Sequence, residues 1–204
     1  MYKLRWIFIM KIAMLGGAFD PPHLGHLILA DTVIKELNYN KVLFIPSKIP
    51  PHKNISGEAS NEDRLNMVKL SIEEDERFLI DDYELKSEGI SYSIKTLNYL
   101  YQNYNIDEKI ALIIGADLIK DFHKWREPEK LSKLANIIAV NREDNNLYKE
   151  NIEKYNIKII IAPRIDISST LIRERIKENK AFRYFLKDKV YNYIISNKLY
   201  LYNN

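Results

Sequence analysis

Short apolar runs alternate with helical patterns along this 204-residue chain, and the alternation limits the folds open to it. Runs of buried-strand length stand at residues 11–15, 42–45, 78–80, 110–114, 137–140 and 157–161. Apolar spacings of three and four predict helices at residues 24–37, 61–72, 93–104, 128–134, 168–178 and 187–195. Such alternation is typical of a parallel sheet covered by helices on both faces. We therefore expect an α/β protein with a Rossmann-like, doubly wound parallel sheet and closing C-terminal helices.

The pattern indicates a single domain at residues 10–204, because no internal repeat and no linker-like stretch divides it. Residues 1–9 are interpreted as a short extension without a function of its own. Lys3 and Arg5 precede an apolar run, as in a signal peptide, but Lys11 interrupts the run and no small-residue cleavage site follows. The run is also too short to cross a bilayer.

Charge and cysteine content narrow the classes of partner. The formal net charge of +3 gives little support to a nucleic-acid surface, although a local basic patch would suit a small phosphorylated ligand. The absence of cysteine excludes disulfides, thiolate metal sites and cysteine nucleophiles. A reducing cytoplasm fits this composition. We expect a cytoplasmic protein that binds neither nucleic acid nor membrane, with a homo-oligomer left open.

The segment after the first strand, residues 16–26, reads GGAFDPPHLGH and outlines an anion site. Glycines let backbone N–H groups approach an anion, and the next helix start adds partial positive charge. His23 and His26 share one face of that helix start. Their imidazoles can donate to phosphate oxygens as charge builds in a transition state. A zinc site competes with this interpretation, but no third ligand has a suitable spacing, so no metal ligand is assigned.

A second polar motif, ISSTLIR at residues 167–173, opens a late predicted helix. Hydroxyl groups and N–H donors at a helix start, with Arg173 one turn later, suit a pyrophosphate. An ordinary serine or threonine N-cap is the simpler interpretation. In doubly wound sheets, ligands bind beyond the carboxyl ends of the strands. Both polar motifs follow predicted strands, so we expect them to converge there.

Together the two motifs resemble the signatures of the nucleotidylyltransferase superfamily, HxGH near the beginning and ISSTxIR near the end. Four further motifs stand between them: IPSKIPPHK at 45–53, GISYS at 89–93, IIGAD at 113–117 and KW at 124–125. In this order they are similar to the bacterial nicotinate-nucleotide adenylyltransferases, from about residue 11 to the C-terminus. The resemblance implies the nucleotidylyltransferase fold and adenylyl transfer from ATP to nicotinate mononucleotide, a reaction of NAD biosynthesis.

The resemblance also implies a role for individual residues. ATP would be bound by Gly16, Gly17, Phe19, His23, His26, Gly115, Asp117, Ser168, Ser169 and Arg173, with His23 and His26 as the catalytic pair. Nicotinate mononucleotide would be bound by Lys48, Lys53, Tyr92, Ser93 and Trp125, with a lysine at its phosphate and the indole on its ring. A cationic pyridinium favours an aromatic face, although a core tryptophan is the alternative. Mg²⁺ is expected to accompany ATP and to stay mostly water-bound.

Some positions depart from the family pattern, and some alternatives stay open. Ala18 stands where a threonine or serine is usual, so only its backbone can serve there, and Ser93 replaces a threonine. The polar segment 141–155, expected to surround a short helix, lacks the usual Pro-Gly turn. Nicotinamide mononucleotide or another phosphorylated compound is an alternative acceptor. A non-catalytic nucleotide-binding module on the same fold is the alternative from another class.

Overall fold

The structure, a computed structural model, describes residues 10–49, 59–106, 108–141 and 148–201. Its strands are β1 (Ile12–Gly17), β2 (Lys41–Pro46), β3 (Phe78–Ile80), β4 (Ala111–Gly115), β5 (Asn136–Asn141) and β6 (Lys158–Ile161). They form one sheet in the order β3-β2-β1-β4-β5-β6, and every described pairing is parallel. The predicted doubly wound α/β fold is therefore confirmed. The predicted extension at 1–9, Lys53 and residues 142–147 lie outside the described residues.

Helices follow most strands and cover the sheet. They are α1 (Leu24–Leu37), α2 (Asn61–Ile72), α3 (Tyr83–Lys86), α4 (Ser93–Asn103), α5 (Pro128–Leu134), α6 (Lys149–Tyr155), α7 (Ser169–Lys177) and α8 (Asp188–Ser196). Two 3₁₀ helices span Ala116–Lys124 and Arg183–Phe185. In the part of the chain that the structure describes, no helix is both long and apolar enough to span a bilayer.

The apolar residues of each strand divide between the two faces of the sheet. In β1, Ile12 and Met14 pack on one side with α4, α5 and α6, whereas Ala13 and Leu15 pack on the other with α1 and α2. This alternation follows from the two-residue period of a strand. It explains why the strands appear in the sequence as continuous apolar runs.

The C-terminal helices form a third cluster beside the sheet. Met67 of α2 packs there with residues of α7 and α8, including Ile172 and Val190, and with Tyr200 beyond α8. The end of the described chain is thereby brought back to α2. Because α2 also covers β2, this cluster lies close to the carboxyl ends of the central strands.

The end of β1, the segment after β4 and the buried face of α2 differ from the sequence expectation, as does the short helix α3, which was not predicted. The strand expected to end at residue 15 continues through Gly16 and Gly17, which pair with Ile45 and Pro46 of β2. The turn therefore begins after both glycines. The 3₁₀ segment Ala116–Lys124 was not expected as a helix; it buries Ile119 and Phe122, whose spacing of three matches the 3₁₀ period.

The buried face of α2 is the third difference. The spacing predicts Leu65, Val68 and Ile72 as its inward residues, but Leu65 is only half-buried. The buried positions are Arg64, Met67, Val68, Ser71 and Ile72. The helix is rotated so that an arginine, rather than a leucine, leads its inner face.

The strand order places a topological switch at β1. From β1 the chain builds outward through β2 to β3, then returns to the opposite side of β1 and continues through β4 to β6. The crevice beyond the carboxyl ends of β1 and β4 is where such sheets bind ligands. The loops after both strands carry predicted site residues.

Candidate active site

The turn after β1 is built around a buried phenylalanine. Phe19 is 2% exposed, adopts a φ of 49° and lies with its ring centroid 5.7 Å from that of Phe44. A Cβ at Gly17 would come within 3.2 Å of the Phe19 ring, so packing accounts for this glycine. A Cβ at Gly16 would meet no described atom within 4 Å. Packing does not explain Gly16, whereas the close approach of a ligand would.

The two predicted catalytic histidines lie in contact at the start of α1. Their ring centroids are 3.7 Å apart with an interplanar angle of 28°, and Phe19 packs edge-on against His26 at 5.0 Å. Nδ1 of His26 accepts a hydrogen bond from the backbone N–H of His23 at 3.1 Å. A neutral His26 therefore carries its proton on Nε2, where it can donate to a ligand.

The second signature motif lies directly against this turn. Nη1 of Arg173 donates to the carbonyl oxygen of Asp20 at 2.7 Å, and Oγ of Ser169 donates to the carbonyl oxygen of Pro21 at 2.8 Å. These bonds join residues that are about 150 positions apart in sequence. The structure thus brings the two predicted ATP-binding motifs together.

The start of α7 combines an ordinary cap with a polar helix end. Ser168 is the N-cap, and its Oγ accepts the backbone N–H of Leu171 at 3.1 Å. The first N–H groups of any helix lack intrahelical partners and favour an anion. The N-cap that the sequence also allowed is therefore present. It does not exclude a phosphate site, because the N–H groups of Ser169 and Thr170 open the helix beside the turn.

The loop after β4 faces the same crevice. Leu15 pairs with Ile113, and two residues further along each strand stand Gly17 and Gly115. Asp117 is exposed just beyond, at the start of the 3₁₀ helix. Oδ1 of Asp117 lies where a Cβ at position 115 would be, so this carboxylate folds back over the end of β4 in the space that Gly115 leaves. The arrangement leaves a carboxylate at the rim, available for hydroxyl groups.

The loop after β2 is fastened to the loop before α4. The backbone N–H of Lys48 donates to Oγ of Ser91 at 3.1 Å, and the Lys48 ammonium donates to the carbonyl oxygen of Ser87 at 3.0 Å. Ser91 also donates its backbone N–H to the carbonyl oxygen of Ile49 at 2.9 Å. Lys48 is thereby placed beside the segment that carries Tyr92 and Ser93, which begins α4.

Trp125 ends the 3₁₀ helix and is half-buried. Its ring lies 5.1 Å from Phe122, and both it and Tyr92 pack against the same cluster of core residues. The next residue, Arg126, places its guanidinium 5.9 Å from the Tyr92 ring. The core interpretation of Trp125 thus holds for part of the side chain, and the rest is accessible to solvent.

Arg64 is a polar residue of this site that the sequence analysis missed. Its side chain is fully buried, and Nη1 donates to the carbonyl oxygens of Ala18 at 2.5 Å and Ser47 at 2.8 Å. Burial lowers the pKa of Arg64, whereas the charge of Asp20 and the hydroxyl of Tyr200 act in the opposite direction. Its position four residues before Val68, on the same helix face, was the available signal.

Glu84 of α3 is a second missed residue. It is 5% exposed, and one carboxyl oxygen accepts the hydroxyl of Thr96 at 2.5 Å. Burial raises the pKa of Glu84, and hydrogen bonds from Thr96, Ser47 and Ser91 oppose that rise. The carboxyl therefore lies beneath the loops that hold Lys48. Nothing in the sequence distinguishes it from the surface glutamates around it.

A tyrosine near the C-terminus completes the support of the turn. The hydroxyl of Tyr200 donates to Oδ1 of Asp20 at 2.7 Å, and both residues are buried. Asp20 is thus held through its side chain by Tyr200 and through its carbonyl by Arg173. From the sequence, Tyr200 is expected to pack the last helix, and Asp20 is expected either to cap the first helix or to contact a ligand. The structure instead places His23 at the N-cap.

Known proteins resemble this chain over nearly its whole length. The sequence model of the Cytidylyltransferase-like family matches residues 14–175. A Caldicellulosiruptor saccharolyticus protein described as a probable nicotinate-nucleotide adenylyltransferase is 43% identical over 198 residues, covering 94% of this chain and 99% of that protein. A protein of the same description from Aquifex aeolicus is 44% identical over 164 residues, covering 76% of this chain and 96% of its own.

A solved structure shares the fold. The nicotinic acid mononucleotide adenylyltransferase of Plasmodium falciparum, complexed with NaAD, superposes with a TM-score of 0.74 at 22% identity. The match covers 94% of this chain and 97% of that one. With the histidine pair, the α7 motif and the curated relatives in agreement, the chain belongs to the nicotinate-nucleotide adenylyltransferase family.

Proposed function

We propose that this protein transfers the adenylyl group of ATP to nicotinate mononucleotide. The 5′-phosphate oxygen of the mononucleotide attacks the α-phosphorus of ATP and forms a new P–O bond. The bond from the α-phosphorus to the bridging oxygen of the β-phosphate breaks. Nicotinate adenine dinucleotide and pyrophosphate are the products. No covalent enzyme intermediate is required, because the attacking oxygen is already anionic.

The stacked pair of His23 and His26 is the observation that carries this proposal. It stands at the positive end of α1, immediately after a turn whose Gly16 is open to a ligand. Because Nδ1 of His26 accepts the backbone N–H of His23, a neutral His26 has its proton on Nε2, which is the nitrogen that can donate to phosphate. Donors fixed in this way stabilise charge as it develops at phosphorus. The protein therefore acts by positioning and by charge stabilisation.

The α7 motif supports the phosphate tail of ATP. Arg173 and the first N–H groups of α7 lie against the turn, and a guanidinium has five N–H donors for use with carbonyl and phosphate oxygens. The hydroxyl of Ser169 donates a hydrogen bond to the carbonyl oxygen of Pro21, so we assign the phosphate contact of Ser169 to its backbone N–H. Gly115 and Asp117 at the end of β4 suit the ribose hydroxyls of the adenosine.

The acceptor is assigned to the other side of the turn. Lys48 suits the phosphate of the mononucleotide, and the half-buried indole of Trp125 suits its pyridinium ring. Tyr92 and Ser93 stand at the N-terminus of α4, where backbone N–H groups favour a carboxylate. A nicotinate carboxylate is favoured by this helix end, whereas a neutral amide gains less from it.

Mg²⁺ enters this proposal with ATP. Among the described residues, no cluster of three or more His, Asp or Glu side chains could hold a metal ion. The imidazoles and the guanidinium at the turn suit phosphate oxygens rather than Mg²⁺, and the carboxylate of Asp20 there is buried and accepts the hydroxyl of Tyr200. The ion would be coordinated by the ATP phosphates and by water, and it would neutralise part of the phosphate charge. Freely diffusing nucleotide substrates and the lack of cysteine fit a cytoplasmic enzyme.

Pyrophosphate release tests the proposal. Purified protein is mixed with ATP, Mg²⁺ and either nicotinate or nicotinamide mononucleotide, and initial rates are measured for both acceptors. We expect kcat/KM to be higher for nicotinate mononucleotide. A preference for the amide would reassign the acceptor but keep the reaction. No release with either acceptor would favour a nucleotide-binding module without catalysis.

A further inference from the structure

We propose that Arg64 is a positioning residue that fixes the ATP half of the site relative to the acceptor half. The inference rests on the proposed function, because it takes the turn after β1 as the ATP side and the loop after β2 as the acceptor side. Arg64 belongs to neither of these loops. It reaches both from the first turn of α2.

On the ATP side, Arg64 holds the turn through its backbone. Nη1 donates to the carbonyl oxygen of Ala18 at 2.5 Å. In a trans peptide the carbonyl and the following N–H point in opposite directions, so this bond turns the N–H of Phe19 away from Arg64. Because the side chain of Ala18 has no hydroxyl, this residue can contact a ligand only through its backbone. The orientation of the peptide between Ala18 and Phe19 is therefore set by Arg64.

On the acceptor side, the same nitrogen holds the residue that precedes Lys48. Nη1 donates to the carbonyl oxygen of Ser47 at 2.8 Å. The N–H of Lys48 in that peptide points the opposite way and donates to Oγ of Ser91 at 3.1 Å. Arg64 thus fixes the peptide from which Lys48 extends. One nitrogen atom joins the two half-sites through two backbone carbonyls.

The surroundings of Arg64 make the link rigid. Nη2 donates to Oδ1 of Asn61 at 2.6 Å, and the side chain is fully excluded from solvent. Burying a guanidinium is unfavourable unless nearby groups compensate its charge. The carboxylate of Asp20, in the turn after β1, attracts the positive charge of Arg64. A lysine in place of Arg64 keeps the charge but lacks the planar fork of donors.

The chemical consequence concerns the distance between the two reacting groups. Displacement by phosphate requires the attacking oxygen to lie about 3–3.5 Å from the phosphorus, and about 1 Å of misplacement is enough to cost about a hundredfold in rate. Each substrate has its own direct contacts on its own side. Loss of the link should therefore lower kcat while leaving the affinity for each substrate alone nearly unchanged.

The experiment compares Arg64→Lys, Arg64→Met and Asn61→Ala with the wild type. Asn61 is exposed, so its variant perturbs the guanidinium without opening the core. Val68→Ala is the matched control, because Val68 is fully buried one turn along the same helix face. We measure kcat at saturation, melting temperature, and calorimetric Kd for nicotinate mononucleotide and for a non-hydrolysable ATP analogue separately.

For Arg64→Lys we expect kcat to fall by about tenfold to a hundredfold, with each Kd within about threefold of the wild type. Asn61→Ala should lower kcat by about threefold or more and should lower the melting temperature less than Val68→Ala does, because Asn61 is exposed. These results decide the question even if the Arg64 variants do not fold. Val68→Ala should lower the melting temperature and retain kcat.

The inference is overturned if Arg64→Lys folds and keeps its kcat, or if Asn61→Ala has the wild-type kcat when the Arg64 variants are unfolded. It is equally overturned if Val68→Ala loses as much kcat as Arg64→Lys at an equal loss of stability. The same holds if Arg64→Lys changes the Kd of only one substrate and retains kcat. A wild type that releases no pyrophosphate refutes the proposed function itself, together with this inference. An active wild type beside a fully active Arg64→Lys refutes the inference alone.

Discussion

Arg173 donates a hydrogen bond of 2.7 Å to the carbonyl oxygen of Asp20, 153 residues earlier in the chain. The bond joins the helix start of α7 to the turn after β1. Under the proposed function, this guanidinium has two tasks: it binds a phosphate of ATP, and it supports the turn that lies beside that phosphate.

Replacing Arg173 with alanine should weaken ATP binding. We expect the KM for ATP to rise by about tenfold or more, because a charge-assisted contact and the support of Asp20 are lost together. Arg175→Ala is the matched control: it stands two residues later in α7, and its guanidinium contacts Ala181 and Phe185 instead. Steady-state kinetics with ATP as the varied substrate measure both. An equal rise in the two variants would contradict the assignment.

Replacing His26 with alanine should remove a hydrogen-bond donor to the phosphate oxygens. We expect kcat to fall by about 10²–10³-fold, as for other preorganised donors of this kind. The His23 N–H also loses its acceptor, so a small decrease in stability is expected. Thr32→Ala removes a hydrogen bond within the same helix, away from the turn, and controls for that decrease. Wild-type turnover in His26→Ala would be incompatible with the catalytic role.

Replacing Trp125 with alanine should affect the acceptor rather than ATP. We expect the KM for nicotinate mononucleotide to rise by about tenfold, because the pyridinium loses its aromatic face. Trp125→Phe keeps such a face and should recover part of the affinity. Kinetics with each substrate varied in turn separate the two sides. An effect confined to ATP would show that Trp125 does not line the acceptor pocket.

Glu84 should make stability depend on pH. Its pKa is raised above the ordinary 4.5 by burial, so the folded state keeps a proton that the unfolded state releases as the pH rises past that value. The free energy of unfolding should therefore decrease with rising pH, from the ordinary value up to the raised one. Glu84→Gln cannot titrate, so its stability should lack this decrease. Urea midpoints of both proteins between about pH 4.5 and pH 8 test this. Parallel profiles would refute it.

The sequence predicts the scaffold well where local and tertiary preferences agree. The bounds of α2, β3 and α5 match the expectation residue for residue, because Ser60 caps α2 and Pro128 opens α5. The 3₁₀ helix after β4 and the short α3 escaped prediction. The segment Tyr83–Lys86 is too short to show a helical period, and a 3₁₀ spacing of three within Ala116–Lys124 does not by itself predict a helix.

The candidate site could be predicted only in part for a related reason. His23, His26 and Arg173 belong to motifs whose chemistry is readable from residue type and spacing. Arg64 and Tyr200 act through contacts with Ala18 and Asp20, which are distant in sequence. No local pattern records such a contact. The sequence of α2 nevertheless gave one indication, because Arg64 stands four residues before Val68, at a position on the inner face where an apolar residue would be expected.

The bond between Tyr200 and Asp20 spans 180 residues and has a consequence for biosynthesis. The turn after β1 is synthesised 180 residues before Tyr200, so its buried carboxylate receives the Tyr200 hydroxyl only after the residues between them have followed. A nascent chain that stops before Tyr200 can form β1 and α1 yet lacks this support. Premature termination before Tyr200 would thus leave Asp20 without this hydrogen bond, so the segment beyond α8 is needed to complete the support of the turn.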